Sequence, residues 1–154
     1  MKIADILRPE CVIADMQAGA KKDILEELAA PVAREYHLDL DELVGVLQAR
    51  EKLGSTGIGE GVAIPHGKMV NLETVAAAMA KSSQGLDFDA IDGKPCHIFF
   101  MLVAPSNSAS QHLKALARAS MLLKDPALRQ KLMETRTSAD MYHLIIDYDS
   151  RLDD

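Results

Sequence analysis

One histidine, His66, is delivered by the run Gly54-Ser55-Thr56-Gly57-Ile58-Gly59-Glu60-Gly61-Val62-Ala63-Ile64-Pro65-His66-Gly67-Lys68. Five glycines in fourteen positions let this backbone take positive φ and pass close to a ligand, at an entropic cost that a plain connection has little reason to carry. Val62-Ala63-Ile64 reads as a short buried strand. Pro65 confines Ile64 to extended conformations and withholds the amide that would continue a ladder, so His66 is expected just past a strand end. Gly67 then leaves the imidazole open to a protein-sized partner. An imidazole titrates near neutrality, and its neutral form can attack a phosphoryl group without a separate base. The phosphoramidate formed is energy-rich and can be passed on. On residue type alone, a solvated or structural histidine fits the same run, and both readings stand.

Four other residues could serve such a group. His112 is expected at the start of a helix, where a second imidazole and free backbone amides could meet an anion. On its own it reads equally as a capping or solvated histidine. Arg50, at the end of a helix just before the glycine run, could grip phosphoryl oxygens with its planar fork, or could merely compensate the helix dipole. Ser55 and Thr56 carry hydroxyls that can donate to a phosphate or bond their own turn. Glu51, Glu60 and Lys68 read as solvated charges, with Lys68 able to attract an acidic partner or the phosphoryl group. His37, His97 and His143 read as structural.

Several chemistries are disfavoured. The glycine spacing precedes a strand, whereas a dinucleotide fingerprint follows one, and no Lys-Ser or Lys-Thr closes a nucleotide-binding loop. No pair of histidines has the short spacing of a zinc site, so neither a metal nor a cofactor is expected. A formal net charge of −6 and unclustered Lys and Arg argue against a nucleic-acid surface. The longest apolar run, Ile98 to Ala104, has seven residues against the roughly 20 needed to span a bilayer, so no membrane insertion is expected. Asp5, Arg8 and Glu10 stand where a signal peptide needs apolar residues, and a cytoplasmic protein is expected. Cys11 and Cys96 fit no metal or redox spacing and read as reduced, half-buried thiols.

The elements that must position these residues follow from periodicity. At 154 residues the chain is expected to form one domain over 1–154, with the polar stretch 146–154 as a frayed tail. Apolar residues from Ile24 to Val32 repeat at helical spacing over Lys22 to Tyr36, with Pro31 expected to kink or split that helix. Asp39 or Asp41 can cap a second helix carrying Leu43, Val44, Leu47 and Arg50. Thr74 to Ala80 and His97 to Ala104 read as strands, the second covered on both faces. Helices are expected after Ser106–Ser110, after Asp125-Pro126 and after Thr137. Strands set between helical blocks imply an α/β sandwich.

With these residues in view, the chain resembles an enzyme IIA of the fructose and mannitol class of the bacterial phosphoenolpyruvate phosphotransferase system, and within it the nitrogen-related regulatory type. Arg50-Glu51, Gly-Ser-Thr-Gly-Ile-Gly from Gly54, and Ala-Ile-Pro-His-Gly-Lys from Ala63 carry the similarity. It continues through Phe88-Asp89-Ala90-Ile91-Asp92, Leu102-Val103-Ala104-Pro105 and His112-Leu113 with Leu116. The resemblance implies a three-layer α/β/α sandwich around a mixed sheet. It implies that His66 accepts a phosphoryl group through its ε nitrogen, that His112 hydrogen-bonds that group, and that Arg50, Ser55 and Thr56 line the site. The implied partners are a small phosphocarrier protein of the HPr or NPr kind and regulatory target proteins. Two rival readings are a sugar-transport enzyme IIA that passes phosphate to a IIB component and a binding module that is never phosphorylated.

Overall fold

The apolar stretch ending at Pro105 becomes the central strand of a six-stranded mixed sheet in the computed structural model, which describes residues 1–152. After a 3-10 turn at Ile3–Asp5, the strands are β1 (Leu7–Ile13), β2 (Gly57–Gly59), β3 (Val62–Ala63), β4 (His66–Met69), β5 (Ala76–Leu86) and β6 (Cys96–Pro105). The helices are α1 (Lys21–Tyr36), α2 (Leu40–Lys52), α3 (Ala109–Leu123), α4 (Pro126–Glu134) and α5 (Ser138–Ser150). The sheet order is β1-β5-β6-β3-β2, and β4 also pairs with β6. The β5–β6 and β2–β3 pairs are antiparallel, while β1–β5, β3–β6 and β4–β6 are parallel.

Two helical layers bury the sheet. Helices α1 and α2 pack on each other, with α1 over β1 and β5 and α2 over β4. Helix α3 packs on β6 and is joined by α4 and α5, with α5 over β1. Strand β6 is therefore buried along its whole length apart from His97, as a near-continuous apolar run requires. Phe88 and Phe99 meet edge to face with centroids 5.5 Å apart, each fully buried and contributing roughly 1.5–3 kcal/mol by removal from water. The arrangement is the three-layer α/β/α sandwich with a mixed sheet.

Several expected boundaries shift, among them the strand expected over Thr74 to Ala80, which is β5 at Ala76–Leu86. Helix α1 is not split at Pro31, because the buried face formed by Leu28, Ala29 and Val32 outweighs the single hydrogen bond that proline withholds. Strand β1 escaped the periodicity because Arg8, Pro9 and Glu10 are exposed, an arrangement an edge strand tolerates. Asp39 alone caps α2, accepting the Glu42 amide at 2.9 Å. The expected frayed tail is corrected over 146–150, since α5 runs to Ser150 and Asp149 is buried. Its carboxylate accepts the Ile3 amide at 2.6 Å and Arg118 Nε at 2.6 Å, locking the helix to the opposite terminus. Residues 153 and 154 lie outside the described residues. Cys11 and Cys96 are free and fully buried, and burial pushes both thiols up to about 11.

Candidate functional site

Strands β3 and β4 lie end to end along one edge of β6: Ala63 faces Phe99, and His66 faces Leu102. Between them the ladder is interrupted by Ile64 and Pro65. Proline has no amide to give, but its carbonyl accepts the Leu102 amide at 2.9 Å, while the Ile64 amide turns aside to the Thr56 carbonyl at 2.9 Å. His66 thus opens a new strand and does not hang beyond the end of the old one. A strand holds a side chain more tightly than a loop would.

Gly67 sets how closely α2 approaches this strand. A Cβ at Gly67 would stand 2.5 Å from Val46 Cγ1, so only glycine lets the helix settle here. Arg50 follows Val46 by four residues and lies on the same helical face, which brings its guanidinium to His66. Arg50 Nε donates to His66 Nε2 at 3.2 Å, and its Nη1 donates to the Gly54 carbonyl at 2.9 Å. His66 Nδ1 lies 2.8 Å from the Ile64 carbonyl. A carbonyl can only accept, so these partners assign the proton to Nδ1 and leave the lone pair on Nε2. Burial holds the His66 pKa below its ordinary value; the Ile64 carbonyl opposes this, Arg50 reinforces it and Glu51 opposes it more weakly. The ring is neutral at neutral pH and carries its nucleophilic pair at Nε2.

His112, in the first turn of α3, faces this ring with centroids 5.3 Å apart and planes at 57°. It is buried, and burial lowers its pKa, helped by the nearby His66 and Lys68. Its Nδ1 makes no hydrogen bond, an uncommon state for a buried polar atom and one that gives the helix-cap reading no bond through that nitrogen. The N-cap residue Ser108 makes no side-chain cap bond either.

The hydroxyls of Ser55 and Thr56 do not join this group. Ser55 Oγ donates to the Phe88 carbonyl at 2.7 Å and accepts the Gly57 amide at 3.0 Å. Thr56 is buried and its hydroxyl donates to the Glu51 carboxylate. In the unphosphorylated protein both hydroxyls shape the glycine run, the second of the two roles that the sequence allowed them. Glu51 itself is buried, against the expectation of a solvated charge, and periodicity could have found it: it follows Leu47 by four residues, on the apolar stripe of α2. Glu60 is exposed, 3.7 Å from Arg129 Nη2. Among the other histidines, His37 ends α1 in a left-handed conformation, His97 Nδ1 sits 3.0 Å from the Ser82 carbonyl, and His143 stacks edge-on against Tyr142.

Exposed apolar side chains flank the centre in sequence: Leu53 precedes Gly54, Leu113 follows His112 and Val70 follows β4. Among the described residues no three His, Cys, Asp or Glu side chains gather as a metal site would need, and no helix is long and apolar enough to cross a membrane. A neutral imidazole with an unprotonated Nε2, an adjacent guanidinium and a second buried imidazole can accept, hold and release a phosphoryl group.

A family profile described as phosphoenolpyruvate-dependent sugar phosphotransferase system, EIIA 2, matches residues 5–148. A protein of Bradyrhizobium diazoefficiens named nitrogen regulatory protein is 39% identical over 145 residues, covering 94% of this chain and 95% of that one. The fructose-specific EIIABC component of Bacillus subtilis is 31% identical, over 97% of this chain and 24% of its own length. The crystal structure of nitrogen regulatory protein IIA-Ntr from Neisseria meningitidis superposes with a TM-score of 0.86 at 34% identity, covering 93% of this chain and 98% of that one.

Proposed function

The chain belongs to the EIIA 2 family of the phosphoenolpyruvate-dependent sugar phosphotransferase system, and from that premise we propose that His66 Nε2 accepts a phosphoryl group from a small histidine phosphocarrier of the HPr or NPr kind. The observation that carries this reading is the fixed tautomer, with Nδ1–H on the Ile64 carbonyl and the lone pair of Nε2 facing Arg50 Nε. The donor's phosphorus–nitrogen bond breaks as the Nε2–phosphorus bond forms. The bonding pair returns to the donor's ring nitrogen, and the positive charge gained by the His66 ring is shared with the Ile64 carbonyl through Nδ1–H. Arg50 passes its hydrogen bond from Nε2 to the arriving phosphoryl oxygens, and His112 supplies another donor. Rate comes from positioning and charge stabilisation, with no metal or nucleotide.

The phosphorylation state then selects protein partners. The near full-length similarity to proteins named nitrogen regulatory supports this regulatory role. The similarity to a fructose-specific EIIABC component supports a second reading, in which the phosphoryl group passes to a IIB component.

Radiolabelled phosphoenolpyruvate with purified upstream proteins tests the acceptor. One acid-labile, base-stable phosphoryl group should map to His66 and be lost in His66→Ala. Full labelling of that variant would overturn the assignment, and no labelling by competent donors would favour the unphosphorylated binding module. Release of the label to an added IIB component would favour sugar transport.

A further inference from the structure

Glu51 lies buried beside Arg50 in the last turn of α2. Its Oε1 accepts the Thr56 amide at 3.1 Å and pairs with Lys21 Nζ at 3.0 Å, while Oε2 accepts the Thr56 hydroxyl. From Thr56 the hydrogen bonds continue: its carbonyl takes the Ile64 amide at 2.9 Å, and the Ile64 carbonyl takes His66 Nδ1–H at 2.8 Å. Arg50 closes the circuit through His66 Nε2 and the Gly54 carbonyl. The circuit starts and ends on adjacent residues of one helix and encloses the glycine run, the break in the ladder and the imidazole. Lys21 anchors it from α1, since its ammonium also reaches Asp89 at 3.4 Å and lies 4.7 Å from the centre of the Phe88 ring, whose carbonyl holds Ser55.

We propose that Glu51 is a positioning residue for the reaction at His66: acting through Thr56, it fixes the Ile64 carbonyl that keeps the imidazole in its Nδ1–H tautomer. A buried carboxylate that accepts both polar hydrogens of one threonine leaves that residue no freedom of its own. The carbonyl of Thr56, and through it Ile64, is then set by the helix. This inference rests on the phosphoryl-acceptor reading above.

The test compares Glu51→Gln, Thr56→Val, their double variant and Thr56→Ser. The initial rate of donor-dependent labelling is measured, and the ring ¹⁵N resonances of His66 are recorded in unphosphorylated protein. Each single variant should slow labelling by about tenfold and show both ring tautomers, and the double should be no slower than the worse single, as expected of two residues acting as one unit. Thr56→Ser should regain a rate within about threefold of the wild type, since its hydroxyl restores the bond. Wild-type rates in both single variants, multiplicative losses in the double, no recovery with serine or an unchanged tautomer would each overturn the proposal. Should Glu51→Gln not fold, the valine and serine variants carry the test. If the wild type takes no label, the acceptor reading fails separately, and the tautomer still decides whether Glu51 orients the ring.

Discussion

Arg50 approaches His66 along the line of the reactive lone pair, with Nε 3.2 Å from Nε2. A fixed cation there repels a proton from the ring as well as awaiting an anion. Burial is the larger cause of the depressed His66 pKa, and Arg50 adds to it. Arg50→Gln should therefore raise the titration midpoint of His66, followed through its Cε1 proton by NMR. A midpoint equal to or below the wild-type value would contradict this electrostatic role. The sign extends to stability. With the folded pKa below the unfolded value of about 6.5, the unfolded chain binds the proton first as pH falls. Stability is thus full above about pH 6.5 and declines as pH drops through the interval down to the folded pKa. That decline, read from denaturant midpoints, should be smaller in Arg50→Gln.

His112 should support transfer without being the acceptor. A hydrogen bond to a charged oxygen contributes about 1.5–3 kcal/mol, so His112→Ala should slow phosphoryl transfer roughly tenfold to a hundredfold and leave the label on His66. Rapid-quench rates in both directions measure this. Full wild-type rates would return His112 to a purely structural place at the head of α3.

Asp149 should matter to stability far more than its place near the chain end implies. Its carboxylate holds buried Arg118 and the Ile3 amide. Asp149→Ala removes these buried hydrogen bonds, and one hydrogen bond to a charged group contributes about 1.5–3 kcal/mol. Urea unfolding should show a loss of that order; a change below about 1 kcal/mol would mean that the contact behaves like an exposed pair.

The sequence was most legible where local rules and global packing agree. The apolar run of β6 and the Asp125-Pro126 start of α4 each pointed to what they form. The misses share one cause: a tertiary contact that reverses a local preference. Pro31 stays helical because its neighbours are buried, and Arg8-Pro9-Glu10 stays extended because β5 offers a partner. Which of its two possible partners the Thr56 hydroxyl takes in the unphosphorylated protein was not legible, because Glu51 was read as solvated and is instead buried against it. Asp149 fell within the expected frayed tail because neither Arg118 nor Ile3 is near it in sequence. His66 could be singled out from the sequence, but its tautomer could not, since that depends on a carbonyl two residues back whose direction is set by a broken ladder.

Phosphorylation should act as a switch of surface charge, with the fold unchanged. A phosphoryl group adds about −1.5 to −2 charges at neutral pH. Here it would arrive on a protein of net charge −6, beside the Arg50 guanidinium, with exposed Leu53 and Leu113 adjacent in sequence to Gly54 and His112. A partner that buries those leucines would then have to desolvate the new charge or find a cation for it, and one whose surface is acidic would be repelled. The elements under the site leave little room for movement. Strand β4 is paired along β6, and α2 rests against Gly67 at a distance that would not admit a methyl group. Backbone chemical-shift changes on phosphorylation should therefore cluster around residues 50–70 and 106–116 and fade across α1, α4 and α5. Candidate regulatory targets should bind phosphorylated and unmodified protein with different affinities, and His66→Ala should hold the unmodified preference in the presence of donor. Equal affinity of every target for all three proteins would defeat the signalling role and favour transfer to a IIB component. Shift changes spread over all five helices would instead defeat the local switch, because a charge confined to one imidazole would then have repacked the core beneath it.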